Sequence, residues 1–197
     1  ASAITPDGSL LLAANHLPAD RADQCGVAAV AAVVTAVDTK TNQTSAIRLT
    51  TGSSSLRDIC LSPDGKYAFV THILSRYHLP TIQLERGWMN TNALSVIDVA
   101  ARKLVNTVLL DDPLRGAANP WGAACSADGE LLCISHGGTH ELSLIDADGL
   151  LGKLLAMPQS GYSNAYIFGE PHYRVYEFGG YPGASSADVA NDLTFLE

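Results

Sequence analysis

Histidine is the residue type whose placement in this chain most directly suggests chemistry. Neutral imidazoles that converge on one point bind Cu, Zn or Fe. Five of the six histidines are expected at strand ends or in long connections on one face: His16, His72, His78, His136 and His140. No close-spaced ligand motif such as His-Glu-x-x-His accompanies them. Two interpretations stay open: a metal site built from these side chains, or a structural role in which His72 and His136 end strands and hydrogen-bond the neighbouring unit.

A second group of side chains could recognise a ligand or a partner. Guanidinium groups bind carboxylate or phosphate through paired hydrogen bonds, and tryptophan adds apolar contact area. The residues expected on the same face as the histidines are Arg57, Arg76, Arg86, Trp88, Asn119 and Trp121. They are predicted to form a binding face. In the alternative interpretation, residues 75–92 form a packed loop anchored by Trp88, and Trp121 fills space between structural units.

The spacing of the four cysteines excludes several kinds of site. Cys25, Cys60, Cys125 and Cys133 form no Cys-x-x-Cys, Cys-x-x-Cys-His or zinc-finger pattern, so covalent haem attachment of the usual kind is not expected here. A disulfide such as Cys125 with Cys133 is possible, but three of the four cysteines occupy positions where the chain elsewhere has small or apolar residues. Those three are therefore predicted to be core thiols. No Gly-x-Ser-x-Gly, P-loop or Gly-x-Gly-x-x-Gly motif is present, and no catalytic residue is predicted.

Composition and charge narrow the range of functions further. The 197 residues include 20 acidic and 12 basic side chains, for a net charge of −8, which disfavours binding to nucleic acid or to an anionic membrane surface. Apolar residues make up 47% of the chain, enough to fill a core. The longest apolar stretch, residues 26–37, is too short to span a bilayer, so no membrane span is expected.

The elements that would position these residues are predicted from an internal repeat. One block contains a Ser/Thr-x-Asp-Gly turn followed by an apolar run, and it occurs as ITPDGSLLLAAN (4–15), LSPDGKYAFVTH (61–72) and CSADGELLCISH (125–136). A second block ending in aspartate follows each copy: VVTAVDTKT (33–41), ALSVIDVAA (93–101) and ELSLIDADG (141–149). A weaker third block comes next: SAIRLT (45–50), LVNTVLL (104–110) and GKLLA (152–156). The unit is therefore predicted to be four short strands, A to D.

Turn chemistry supports this unit. The glycine of each Asp-Gly pair supplies the positive φ that a tight hairpin requires, and the preceding proline presets its own φ. The aspartates that end the C strands, Asp38, Asp98 and Asp146, are predicted to accept hydrogen bonds from the backbone of their own turns.

Repeated four-stranded antiparallel units are typical of a β-propeller. SPDGKYAFVTH followed by ALSVIDVAARKLVNTVLL resembles the YVTN-type propeller repeat. We expect an all-β fold with three blades, at about 1–50, 57–110 and 121–156, and a Tyr/Gly-rich excursion at 157–197 that leads to a next blade. Three blades cannot close a ring, so the chain is expected to be a fragment of a larger propeller. Two alternatives are that a partner subunit completes the propeller, or that the residues from Ser160 onward contribute to it in a different way.

A finer resemblance is carried by THILSRYHLPTIQLERGWMNTNALSVID, ANPWGAACSADG and SHGGTHELSLID. These segments are similar to bacterial secreted propellers that precede a cytochrome-c-peroxidase-like haem domain. The resemblance implies a periplasmic, secreted or cell-surface location and a possible cytochrome c partner, with haem only on an attached or partner domain.

The expected function is a noncatalytic propeller scaffold or binding module whose ligand face is formed by the B–C and D–A loops. One alternative is the propeller part of a haem-linked redox protein. Another is a metal-binding propeller that holds Cu, Zn or Fe on the histidine cluster. A lactonase of the propeller type is a further alternative, although no acid–base pair can be identified for it.

Overall fold

The computed structural model describes residues 1–16, 31–75, 90–111, 119–156 and 175–177. Within this part the chain folds into three sheets, in each of which consecutive strands pair antiparallel, and this confirms the predicted β-propeller blades. Blade 1 contains β1 (Ser2–Ile4), β2 (Leu10–Ala14), β3 (Val33–Asp38) and β4 (Thr44–Arg48). Blade 2 contains β5 (Ser53–Leu61), β6 (Tyr67–Ser75), β7 (Asn90–Asp98) and β8 (Lys103–Leu109). Blade 3 contains β9 (Pro120–Cys125), β10 (Leu131–His136) and β11 (Glu141–Asp146).

The core consists of two apolar layers, one on each side of blade 2. Successive residues of a strand point to opposite faces of its sheet. Accordingly, Val70 packs towards blade 1 with Leu12 and Val34, whereas its neighbour Phe69 packs towards blade 3 with Leu132. Because both faces of blade 2 are covered, β6 and β7 are buried along almost their whole length and do not alternate between buried and exposed residues.

The three Asp-Gly turns repeat the same hydrogen bonds. In blade 2, Ser62 Oγ donates to Asp64 Oδ1 at 2.6 Å and accepts from the amide of Tyr67 at 3.0 Å. The corresponding bonds form in blade 1 around Thr5 and Asp7, and in blade 3 around Ser126 and Asp128. The glycines of these turns, Gly8, Gly65 and Gly129, have φ values of 70°, 71° and 82°, as predicted.

The turns also contact one another from blade to blade. A Cβ on Gly65 would lie 2.8 Å from the ring of Pro6, and one on Gly129 would lie 3.5 Å from the ring of Pro63. Each proline therefore packs on the glycine of the following turn. The proline and glycine of these turns therefore contribute to packing between blades as well as to the turn conformation.

The C-strand aspartates accept from their own turns as predicted. Asp38 Oδ1 accepts from the amide of Thr41 at 2.8 Å, and Asp98 Oδ1 accepts from the amide of Ala101 at 2.8 Å. Asp146 Oδ1 accepts from the amide of Gly149 at 2.8 Å, but this bond begins a helix.

Helix α1 (Ala147–Ala156) corrects the prediction that residues 152–156 form a D strand. No residue of the helix is β-branched, whereas β4 and β8 carry Thr, Ile and Val at the equivalent place. Asp146 caps the first turn, and Leu150 and Leu154, four residues apart, are buried in the layer between blades 2 and 3. The strand prediction for residues 152–156 depended on the repeat alone, and the local sequence favours a helix.

After α1, the structure describes only residues 175–177, which form a short strand. Strand β12 (Val175–Glu177) pairs in parallel with the outer edge of β8 and adds a fifth strand to blade 2. The rest of the excursion predicted for residues 157–197 lies outside the described residues. In the part of the chain that the structure describes, no helix is long and apolar enough to cross a membrane.

Two glycines of α1 provide a test of this correction. Gly152 lies inside the helix with open space around its Cα, so Gly152→Ala should stabilise the protein by about 0.5–1 kcal/mol. Gly149→Ala should destabilise it, because a Cβ there would lie 2.5 Å from the carboxylate of Asp146. Urea unfolding of both variants measures the two effects, and a destabilising Gly152→Ala would contradict a helix at 147–156.

Candidate functional site

His72 lies inside β6, three residues before the strand ends, and its imidazole is fully buried. Both ring nitrogens have partners: Nδ1 lies 3.0 Å from the carbonyl oxygen of Ile73, and Nε2 lies 2.8 Å from Ser95 Oγ. A carbonyl can only accept, so the proton of the neutral ring is on Nδ1. Nε2 must therefore accept from the hydroxyl of Ser95.

Ser95 continues a chain of buried hydroxyl groups across blade 2. Its Oγ lies 2.8 Å from Thr107 Oγ1 on β8, and Thr107 Oγ1 lies 2.5 Å from Thr50 Oγ1. Each hydroxyl has only one hydrogen to donate, and Ser95 gives its hydrogen to His72. Thr107 must therefore donate to Ser95, and Thr50 must donate to Thr107. We call His72, Ser95, Thr107 and Thr50 the buried hydroxyl chain. It joins three strands of blade 2 to the segment that leaves blade 1.

Blades 1 and 3 have shorter versions of this arrangement at the same repeat position. In blade 1, Asn15 Nδ2 donates to Thr35 Oγ1 at 2.9 Å. In blade 3, His136 Nε2 lies 2.7 Å from Ser143 Oγ. In the structural interpretation of the sequence, we expected His72 and His136 to form hydrogen bonds with the neighbouring blade. Their side-chain partners are instead on the next strand of the same blade, because that strand is hydrogen-bonded alongside them.

Burial makes both histidines poor bases. Removal from water disfavours the imidazolium, which lowers the pKa of His72 to about 4 and also lowers the pKa of His136. Both rings are therefore neutral near pH 7. His136 Nδ1 is buried and has no hydrogen-bond partner within the described part of the chain.

The predicted metal ligands are not assembled in the described segments. His16 and His140 are exposed, and His72 and His136 are buried within their own blades. Among residues 1–16, 31–75, 90–111, 119–156 and 175–177, no three His, Cys, Asp or Glu side chains are grouped so that they could hold a metal ion. His78 lies outside these residues, so the metal site stays a prediction.

Arg57 and Trp121 of the predicted binding face are brought together by the structure. They occupy equivalent positions on the first strands of blades 2 and 3, and the guanidinium carbon of Arg57 lies 4.6 Å from the centre of the Trp121 ring. This distance is typical of a cation–π interaction. Trp121 is 57% exposed, while Arg57 Nε is buried without a hydrogen-bond partner among the described residues.

Two hydrogen bonds and a β-bulge, which were not predicted from the sequence, hold this pair in place. Thr71 Oγ1 donates to the carbonyl oxygen of Trp121 at 3.0 Å, and Asp58 Oδ2 accepts from the amide of Ala123 at 3.0 Å. A β-bulge interrupts the β5–β6 ladder just before Asp58, at Ser55, which has a φ of 53°. The first strands of blades 2 and 3 are therefore bonded to each other beside the Arg57–Trp121 pair.

Asn119 lies at the entry to blade 3 on the same face. Its amide donates to Asn92 Oδ1 at 3.0 Å, and its carbonyl oxygen accepts from the amide of Gly137 at 2.9 Å. Asn119 therefore ties β7 and the connection after β10 to the start of β9. Arg76, Arg86 and Trp88 lie outside the described residues.

The strand register decides whether Cys125 and Cys133 can form the possible disulfide. Cys125 pairs with Leu132 and Cys133 pairs with Ala124 in the β9–β10 ladder, so the two thiols point to opposite faces of blade 3. A Cys125–Cys133 disulfide is therefore excluded, and Cys60, Cys125 and Cys133 are free thiols. Cys25 lies outside the described residues.

Comparison with known proteins identifies relatives of part of the chain. No family model matches it. It is 36% identical over 107 residues to hydrazine synthase subunit beta of Kuenenia stuttgartiensis, which covers 54% of this chain and 28% of that protein. A solved structure of Kuenenia stuttgartiensis hydrazine synthase superposes with a TM-score of 0.65 and 31% identity, covering 79% of this chain and 42% of the matched chain.

One further solved structure superposes at lower sequence identity. A crystal structure of a candidate 6-phosphogluconolactonase from Bacteroides fragilis superposes with a TM-score of 0.49 and 18% identity, covering 77% of this chain and 35% of that one. In each of these comparisons the chain covers less than half of the matched protein.

The buried hydroxyl chain predicts a specific pH dependence of stability. The pKa of His72 is about 4 in the folded protein and about 6.5 in the unfolded protein. Protonation therefore favours the unfolded protein, so the stability that the neutral imidazole contributes is complete above pH 6.5 and is lost as the pH falls towards 4. Between pH 7 and pH 5 this loss is about 2 kcal/mol. His72→Asn, which places in blade 2 the residue found in blade 1, should remove that part of the pH dependence.

Urea unfolding at pH 7 and pH 5 measures this difference, with the exposed His16→Asn as the matched control. The carboxylates of Asp7 and Asp64, whose pKa values are lowered to about 2 by hydrogen bonds from Thr5 and Ser62, act mainly at lower pH. An unchanged pH dependence in His72→Asn would contradict a buried neutral imidazole.

Proposed function

We propose that this chain is a noncatalytic propeller scaffold that binds a partner protein through the face formed by its B–C and D–A connections, which we call the loop face. The observation that carries the proposal is the exposed Trp121 ring stacked on Arg57 at the joint between blades 2 and 3. The assembly we propose is bacterial and is secreted or located in the cell envelope, as the resemblance to secreted propellers implies.

The two buried histidines are not placed to act as a general acid or base. A general acid or base needs a ring nitrogen that reaches the substrate and a pKa near the working pH. In His72 both nitrogens are used inside blade 2, and burial lowers the pKa to about 4. His136 is also almost fully buried and bonds to Ser143. Both histidines at this repeat position therefore hydrogen-bond the next strand inside their own blades.

Arg57 and Trp121 have the properties of a docking site for protein. Trp and Arg are enriched among the residues that contribute most to protein–protein affinity. The cation–π contact and the Thr71 hydrogen bond fix the position of Trp121 before a partner arrives, so that less side-chain entropy is lost on binding. Covering the 57% of Trp121 that is exposed would bury a large apolar surface.

The similarity to a protein named as a subunit supports binding to other subunits. Hydrazine synthase subunit beta is, by its name, one component of an enzyme, and 54% of this chain aligns with it. We propose a haem-containing redox protein as the partner, because segments of this chain resemble propellers that precede a cytochrome-c-peroxidase-like domain. This finer proposal depends on that resemblance.

A second surface, on the outer side of blade 3, is suited to a further propeller blade. Leu131, Leu142 and Leu144 are 48%, 66% and 69% exposed, and by strand register they share the face opposite to Leu132 and Ile134. The inner face of blade 3 is already covered by blade 2, just as blade 2 is covered by blade 1 on its other side. A fourth blade that packs on these leucines would continue the same series of interfaces.

Trp121 offers a direct test of the loop face. A photo-crosslinking phenylalanine derivative at position 121 of the full-length protein, irradiated in its native cells, should give one discrete adduct. The same group in place of the exposed Leu155 on α1 is the matched control and should give none. Adding Arg57→Ala should reduce the adduct at position 121 at least several-fold. A haem absorption band in the purified adduct would support the redox partner, and equal labelling at positions 121 and 155 would contradict the docking site.

Leu144 tests the proposed fourth blade. Under a further blade, Leu144→Ala in the full-length protein should lower the free energy of unfolding by about 2–5 kcal/mol. Leu155→Ala, at another exposed leucine, should change it by less than about 0.5 kcal/mol. Urea unfolding of the two variants measures the difference. Equal small effects would show that the outer face of blade 3 is not covered.

A further inference from the structure

Two cysteines far apart in the sequence meet at the joint between blades 2 and 3. Cys60 lies on β5 and Cys125 on β9, the first strands of the two blades, and their Sγ atoms are 4.0 Å apart. Both side chains are partly buried against the apolar layer between the blades, which includes Phe69 and Leu132. Neither thiol takes part in the proposed docking site.

The two strands are fixed beside each other at this point. Asp58, two residues before Cys60, accepts from the amide of Ala123, two residues before Cys125, at 3.0 Å. The cysteines are therefore at matching positions on neighbouring strands. A disulfide has an S–S distance of about 2.05 Å, so rotation of the side chains must bring the sulfur atoms about 2 Å closer.

The contact makes the two thiols chemically different. The hydrogen bond between the two sulfur atoms lowers the pKa of the Cys125 thiol, while that hydrogen bond and burial raise the pKa of Cys60. The thiolate is the form that attacks a disulfide. Cys125 is therefore the thiol expected to react first, with Cys60 positioned to resolve the product.

We infer that Cys60 and Cys125 form a covalent modification site, at which a low-molecular-weight disulfide such as oxidised glutathione converts the pair into an inter-blade disulfide. The Cys125 thiolate attacks one sulfur of oxidised glutathione, which forms a mixed disulfide and releases one glutathione thiolate. Cys60 then loses its proton and attacks Sγ of Cys125, which releases the second glutathione. The two protein thiols are oxidised by two electrons, and one oxidised glutathione is reduced to two thiols.

Cys133 provides a matched control within the same sheet. It is also a partly buried free thiol, but it points to the opposite face of blade 3 from Cys125. A reaction that depends on the juxtaposition of Cys60 and Cys125 must therefore leave Cys133 unpaired. Cys133→Ser should not change the outcome.

Thiol titration and peptide mapping after treatment with oxidised glutathione test the inference. The folded full-length protein, and equally its Cys133→Ser variant, should lose the two thiols of Cys60 and Cys125 and yield one cross-linked peptide that contains both. Dithiothreitol should restore the thiols. Cys60→Ser should stop at the intermediate and accumulate glutathione on Cys125.

The inference is overturned if Cys60 and Cys125 stay reduced while other thiols react, or if the mapped cross-link joins either residue to Cys25 or Cys133. Peptide mapping of the wild type decides this even if Cys60→Ser fails to fold. The midpoint of thermal unfolding should also rise by several degrees in the oxidised wild type, since the bond closes a long loop. No rise should occur in oxidised Cys60→Ser.

Discussion

Burial of blade 2 on both faces is the constraint on which the rest of this structure depends. Consecutive residues such as Phe69 and Val70 enter two different apolar layers, so neither face of the sheet is available to water. A polar side chain inside such a sheet must find its partners within the protein. His72, Ser95, Thr107 and Thr50 meet this requirement together. Thr50 donates to Thr107, Thr107 donates to Ser95 and Ser95 donates to the imidazole, which itself donates to a carbonyl.

The same constraint explains where binding chemistry can be placed. A histidine inside blade 2 is neutral, fully bonded and remote from solvent, so it is suited to specifying the packing of the strands. The first strands of blades 2 and 3 are different, because their bulge and the Asp58 hydrogen bond hold Arg57 and Trp121 at an exposed joint. Rigid blades thus position a small number of exposed side chains, which is how a scaffold supports recognition.

Much of the fold could be predicted from the sequence, because turn chemistry repeats with the same residue types. Asp-Gly pairs and C-strand aspartates specify local hydrogen bonds, and these bonds formed where the pattern placed them. The prediction of a strand at residues 152–156 is wrong, because these residues belong to helix α1, which lacks β-branched residues and follows the capping Asp146. The partners of His72 were missed because Ser95 and Thr107 become adjacent only through strand register. Ser95 and Ser143 share a repeat position, however, and that signal was available in the sequence.

The central claim is that the exposed Trp121 on Arg57 binds a partner subunit. The most direct measurement is the native mass of the full-length protein isolated from its source, for the wild type and for a Trp121→Ala, Arg57→Ala double variant. The account predicts a stable complex with at least one other polypeptide for the wild type and the free chain for the variant, with unchanged thermal unfolding of the free chain. A wild-type protein that is isolated without any partner would contradict it.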